Sequence, residues 1–206
     1  MSNRIYDASR RHFLKGVAIS AGGYALGSML TNPKEAMGQT IEGYLEKIPM
    51  EARWDLTSGN YVSTTANFFK TLYDQRGKEK FLEFMKESGR IAEARYKVMA
   101  DRFGFTGNDI KSAASIIPAM VRLGMGPRQK FEVEEATAEK ARVKCLNCTF
   151  WSSVQTAKIT DDLCSAWSQY SWEGRGKAIN PKLAVTLVKA RPRGDSVCEW
   201  MFELKA

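Results

Sequence analysis

The chain has 206 residues with a formal net charge of +8, and its single histidine is His12. Because no histidine follows, Ser-His-Asp and Cys-His catalysis, His-ligated zinc and proximal-His haem are excluded for the rest of the chain. Basic residues alternate with acidic ones, as in residues 78–90 and 132–144, so we expect a solvated surface and no binding to nucleic acid.

The N-terminal segment has the order of a targeting signal, with basic residues followed by a mild apolar run over residues 16–30. The motif Ser9-Arg10-Arg11-His12-Phe13-Leu14-Lys15 resembles the bacterial twin-arginine signal. The apolar run is shorter than the roughly 20 residues that a membrane span needs. This length favours a signal over a transmembrane helix.

Small residues at Ala36-Met37-Gly38 provide a possible cleavage site, after which Gln39 would be the first residue. We therefore predict a signal segment in residues 1–38 and a single domain in residues 39–206. The resemblance implies export by the twin-arginine translocase, to the periplasm or to the outer face of the cytoplasmic membrane. Membrane contact is expected only through an uncleaved signal.

The first half of the domain has helical periodicity. Residues 41–60 read as a short helix or irregular lead-in, residues 61–76 as a helix with Gly77 as a candidate C-cap, and residues 78–103 as a longer helix. A further helix is predicted from Asp109 to about Leu123, bent or interrupted at Pro118.

The second half changes to alternation of apolar and polar residues. Residues 130–146 and the segments 183–190 and 196–204 alternate as half-buried antiparallel strands do. A helix from about Thr160 to Trp172 interrupts them, and a turn at residues 192–195 joins the last two strands. Helices followed by such strands predict an α+β fold, with N-terminal helices packed on a C-terminal sheet of about four antiparallel strands.

All four cysteines lie in the C-terminal third, which marks residues 143–206 as the cysteine-rich site. They are Cys145, Cys148, Cys164 and Cys198, and the first two form a CxxC pair. Three interpretations remain open: a [4Fe–4S] cluster with four thiolate ligands, a structural Zn²⁺ with the same ligands, or disulfides in an oxidising compartment.

Aromatic residues accompany the cysteines. Trp151, Trp167 and Trp200 are candidates for shielding a cluster from water, and ordinary core packing is the alternative. Export of a folded protein, which the signal implies, is required when a cofactor is inserted before export. This favours a cluster over disulfides alone.

The C-terminal third also resembles the L-2-amino-thiazoline-4-carboxylic acid hydrolase family. The resemblance covers most of residues 61–205, with similarity in the helical segment 68–85. The matching residues are Asn180, Pro181, Leu183, Gly194 and Cys198, followed by Glu199 and Trp200 in place of an acid–aromatic pair, with Cys164 and Cys145 as further matches. The resemblance implies an α+β domain and hydrolytic opening of a cyclic thiazoline C–N bond.

Two positions depart from the family pattern. Trp167 replaces the acid of a Cys-x-x-Asp motif and so removes a candidate general base, and Cys148 adds a CxxC pair. Both changes favour re-use of the scaffold to hold a metal.

The first hypothesis is an exported iron–sulfur electron-transfer or accessory subunit whose partner is a larger periplasmic oxidoreductase subunit. The second is a hydrolase with Cys198 or Cys164 as nucleophile and Glu199 or Asp195 as base. A disulfide-stapled binding protein is the third.

Overall fold

The computed structural model describes residues 45–205. The predicted signal, its cleavage site and His12 lie outside these residues. The chain divides into two units, one ending at Pro49 and the other beginning at Met50. Within residues 45–205, no helix has the length and apolar character needed to cross a membrane.

Helix α1 (Met50–Phe103) consists of two arms joined at Gly77, which leaves helical geometry with φ 77°. The arms fold back on each other, because the rings of Phe69 and Phe81 lie 5.9 Å apart and those of Phe68 and Phe84 lie 5.8 Å apart. Glycine suits Gly77 because a side chain is disfavoured at positive φ. The predicted interruption at this residue is confirmed.

Residues 41–60 were expected to form a short helix or an irregular lead-in. Their second half is helical, but it belongs to the long helix α1, which begins at Met50. Ser58 lies inside this helix and is buried, and its hydroxyl donates to the carbonyl oxygen of Trp54, one helical turn earlier, at 2.7 Å. Such back-bonding lets a serine remain inside a helix.

Helix α2 (Ile110–Met125) is capped by Asp109, whose carboxylate accepts from the Ser112 N–H at 2.7 Å. The helix continues through Pro118, so of the two predicted outcomes at this residue, a bend or an interruption, the interruption is wrong. Pro118 is buried in its interior, where a proline removes one N–H donor.

Four strands form one antiparallel sheet in the order β1-β2-β4-β3, which confirms the predicted α+β fold. Their bounds are β1 Lys130–Ala136, β2 Lys140–Asn147, β3 Leu183–Lys189 and β4 Cys198–Leu204. A short 3₁₀ turn, Arg191–Arg193, and Gly194 at φ 95° connect β3 to β4, as the turn-rich sequence indicated.

Two further helices lie between β2 and β3. Helix α3 (Thr149–Thr156) was not predicted, and α4 (Leu163–Ile179) begins later and ends later than expected. Asp162 sets the start of α4 because its carboxylate accepts from the Ser165 N–H at 3.1 Å.

The buried side chains form two cores. The sheet core lies between the inner face of the sheet and helices α2 and α4, and it includes Ile117, Val143, Trp172, Val185 and Phe202. The helix core lies among α1, α3 and the start of α4, and it includes Val62, Phe69, Phe81, Met85, Val154 and Leu163.

Candidate functional site

The four cysteines come from different parts of the fold and lie in or between the two cores. Cys145 lies on β2 and Cys198 begins β4, where the two residues are direct cross-strand partners. Cys164 lies in the first turn of α4, in the helix core. Cys148 packs against both cores, which makes it the link among the four thiols.

The Cys145 thiol is fully buried and hydrogen-bonded. It accepts from the Gln129 side-chain amide at 3.1 Å and lies 3.4 Å from the carbonyl oxygen of Asn147. Gln129 is itself buried, and its side-chain oxygen accepts from the N–H of Thr149, the first residue of α3. Gln129 therefore fixes Cys145 relative to the helix that follows Cys148.

Cys148 is the N-cap of α3, and its sulfur accepts from the Trp151 N–H at 3.4 Å. The pKa of Cys148 is lowered to about 7, first by a hydrogen bond from the Cys145 thiol. The backbone N–H groups of Trp151 and Phe150 and the charge of Arg191 act in the same direction and outweigh burial. Cys148 is therefore the most readily ionised of the four thiols.

The other three thiols stay protonated. The hydrogen bond to Cys148 and burial raise the pKa of Cys145, and burial raises the pKa values of Cys164 and Cys198. The negative charge of Cys148 raises the pKa values of all three further. The Arg191 N–H also donates to the Cys198 sulfur at 3.5 Å.

All four cysteines lie within residues 45–205, and there they are free thiols. In the same residues, no group of three or more His, Cys, Asp or Glu side chains is placed so that it could hold a metal ion. The donor set nevertheless suits a soft metal, since it consists of four thiols and one is readily ionised. Binding would require the sulfur atoms to move closer together and the remaining thiols to lose their protons.

The three tryptophans predicted to shield the site all pack in the surrounding cores. Trp151 and Trp167 pack with the helix core that contains Cys164, and Trp200 lies in the sheet core with Cys145 and Cys198. The Trp200 ring stacks on Trp172 with 3.9 Å between ring centroids, and its indole N–H has no acceptor within residues 45–205.

The two carboxylates considered as bases for a hydrolase have other partners. Glu199 follows Cys198 in β4, so its side chain points to the opposite face of the sheet. There it is buried and forms ion pairs with Lys189 at 3.0 Å and Arg142 at 3.7 Å. Asp195 accepts from the Ala190 N–H at 2.8 Å and thereby holds the turn before β4.

Sequence reasoning did not identify Gln129 and Arg191 as parts of the site. Both residues are separated from the CxxC pair in the chain, and the folding of the sheet brings them next to the cysteines. The sequence analysis also placed Cys148 only among the metal ligands, although Cys148 is the thiol with the lowered pKa. A cysteine directly before a short helical segment was the available signal, since N-cap residues receive backbone N–H donors.

No protein-family model matches the chain. No curated protein matches it either.

Two solved structures share the fold. The first is the phenol-responsive sensory domain of the transcription activator PoxR with phenol, at 12% identity and a TM-score of 0.50, covering 69% of this chain and 74% of that chain. The second is trafficking protein particle complex subunit 3 from Naegleria fowleri covalently bound to palmitic acid, at 12% identity and a TM-score of 0.52, covering 71% of this chain and 96% of that chain. At this identity the likeness shows the fold alone.

Proposed function

We propose that this chain is an exported metal-binding protein in which Cys145, Cys148, Cys164 and Cys198 hold a [4Fe–4S] cluster for electron transfer. The observation that carries the proposal is the position of the four thiols in and between the two cores, with Cys145 and Cys198 as direct cross-strand partners and Cys148 packed against both cores. Four thiolates are the usual ligands of such a cluster, which supplies one-electron transfer when bound.

The protein's own groups suit this role. Cys148 offers a ready thiolate, and the N–H groups of Trp151 and Arg191 donate to the sulfurs of Cys148 and Cys198. Hydrogen bonds to ligand sulfurs stabilise their negative charge and tune the reduction potential. The surrounding cores limit access of water, which tunes the potential further.

The proposed partner is a larger periplasmic oxidoreductase subunit. The twin-arginine resemblance supports the compartment, and the net positive charge of the chain would favour association with an acidic partner surface.

The test is an anaerobic absorption spectrum with iron and zinc analysis of the full chain and of Cys148→Ser. Gln155→Ala is the matched control, because Gln155 is exposed on the same helix α3. We expect a broad band near roughly 400 nm and about four irons per chain, lost in Cys148→Ser and kept in the control. About one zinc per chain without colour would instead identify a structural zinc site with the same ligands, and absence of both metals would contradict a metal centre.

A second candidate is a cysteine-dependent hydrolase of the thiazoline-opening type that the sequence resemblance implies. The specific observation in its favour is Cys148, whose thiolate is stabilised at the start of α3 and which is more exposed than the other three cysteines. Cys148 replaces Cys198 and Cys164 as the preferred nucleophile, since burial keeps those two protonated. Ring opening of a thiazoline carboxylate by metal-free protein, abolished in Cys148→Ser, would support this candidate over the cluster.

A further inference from the structure

An exposed apolar stripe runs along α1. Tyr61 and Phe68 lie seven residues apart on the first arm, and Phe84, Ile91 and Val98 follow at intervals of seven on the second. The five residues are between 42% and 66% exposed. The contact between the Phe68 and Phe84 rings joins the two halves of the stripe across the arms. We call these five residues the hairpin seam.

The hairpin seam lies on the side of α1 that the described helices leave uncovered. The other side of the arms is occupied, because Phe69 contacts Phe150 of α3 and Trp167 of α4, with ring centroids 5.9 and 5.4 Å apart. Side chains seven residues apart share one face of a helix, so the seam residues form a continuous line along each arm.

The seam is an extended apolar surface. An aromatic side chain has on the order of 150–250 Å² to bury and an aliphatic one less, so these five residues at about half exposure present roughly 400 Å² of apolar area. The largest apolar patch on a typical monomer has a similar area, roughly 300–600 Å², and is often functional. The area is also about half of the roughly 800 Å² that each partner contributes to a standard interface.

We propose that the hairpin seam is the interface between two copies of this chain, which pack their α1 hairpins together as a four-helix bundle. Apolar residues at intervals of seven are the pattern by which one helix presents a line of side chains to another. Each copy supplies two antiparallel helices with this pattern, so two copies complete the bundle and cover both seams.

The charges beside the seam favour a second copy in an antiparallel, two-fold arrangement. With Ile91 at the axis, Phe84 lies against Val98 of the second copy, because both are seven residues from Ile91. Glu83 and Lys97 directly precede these two residues, are exposed and then face each other across the interface, and Glu83 also pairs with Lys80 of its own chain at 2.8 Å. Arg90 directly precedes Ile91 and therefore lies beside its own copy at the axis. The two-fold axis generates two opposite-charge pairs against this one like-charge pair, so the charges favour the arrangement on balance.

The test is sedimentation velocity of the full chain at about 50 µM, a concentration at which a micromolar dimer is mostly associated. We expect a dimer for the natural protein and monomers for Phe84→Glu and Ile91→Glu. Leu56→Glu is the matched control, because Leu56 is 61% exposed on α1 but lies outside the stripe, and it should stay dimeric. Circular dichroism should show unchanged helix content in all three variants, since each site is exposed.

A charge exchange tests the arrangement itself. Glu83→Lys should weaken the dimer by about tenfold, which corresponds to about 1.4 kcal/mol. Glu83→Lys combined with Lys97→Glu should restore the dimer, because opposite charges then face each other again. A monomeric natural protein, as would result if the apolar run of residues 16–30 or a different protein covered the seam, would overturn the proposal. Persistence of the dimer in both seam variants, or no recovery in the exchanged pair, would overturn it as well.

Discussion

The crossing of α1 and α4 depends on two glycines, and Gly174→Ala should disrupt it. A Cβ atom built on Gly174 would lie 2.0 Å from the carbonyl oxygen of Gly89, which is a backbone atom and cannot move aside as a side chain can. The helices would have to separate by more than 1 Å to restore an ordinary contact of roughly 3.4 Å or more. Because α4 carries Cys164, the separation would also displace one thiol of the site.

The magnitude follows from two opposing effects. Overpacking of this kind costs about 3 kcal/mol, and replacing a helical glycine by alanine returns about 1 kcal/mol. We expect a net loss of about 2 kcal/mol in the free energy of unfolding, or a fall in Tm of roughly 4–8 °C for a chain of this size.

Urea and thermal unfolding of Gly174→Ala and Gly124→Ala provide the assay. Gly124 lies inside α2, and beyond its own helix no atom of residues 45–205 lies within 4 Å of a Cβ placed there, so alanine should raise stability by about 0.5–1 kcal/mol. If Gly174→Ala is as stable as the natural protein, the close crossing of the two backbones is refuted.

Three further predictions concern the thiols in metal-free protein. Alkylation of Cys148 by iodoacetamide should accelerate as pH rises through about 7 and then level off, because the thiolate is the reactive form. If the midpoint of this pH profile lay near the pKa of an ordinary thiol, the lowered pKa of Cys148 would be contradicted. Cys145→Ala should raise the pKa of Cys148 and move the midpoint of alkylation to higher pH, because it removes the hydrogen bond that stabilises the Cys148 thiolate most. An unchanged midpoint would exclude this hydrogen bond as the cause of the lowered pKa. Gln129→Ala should lower the free energy of unfolding by about 1–3 kcal/mol in urea titration, because the buried Cys145 sulfur and the partly buried Thr149 N–H lose their hydrogen bonds. A change near zero would mean that these bonds add little.

Local patterns in the sequence predicted much of the fold. Alternation in the strands predicted the sheet, because inner-face residues such as Ala141 and Val143 have charged neighbours. Gly77 predicted the break in α1, since a glycine ends a helix readily. Helix α3 was missed because it is short and its start depends on Cys148, a residue type rarely considered as an N-cap.

The candidate site could be predicted only in part. The clustering of the four cysteines in the last third of the sequence identified them as candidate site residues. The structure adds that Cys145 lies directly opposite Cys198 in the sheet. The contributions of Gln129 and Arg191 could not be predicted, because they arise from contacts between segments far apart in the chain. The lowered pKa of Cys148 likewise depends on the Cys145 thiol and on backbone N–H groups at the start of α3.

The most direct test of the central claim is the metal content of the anaerobically purified full chain, compared across the four single Cys→Ser variants and Gln155→Ala. A shared four-thiolate centre predicts about four irons per natural chain, a sharp loss in every cysteine variant, and full retention in Gln155→Ala. A natural protein without iron or zinc would contradict the four-thiolate centre. So would full metal retention in two or more of the four single Cys→Ser variants.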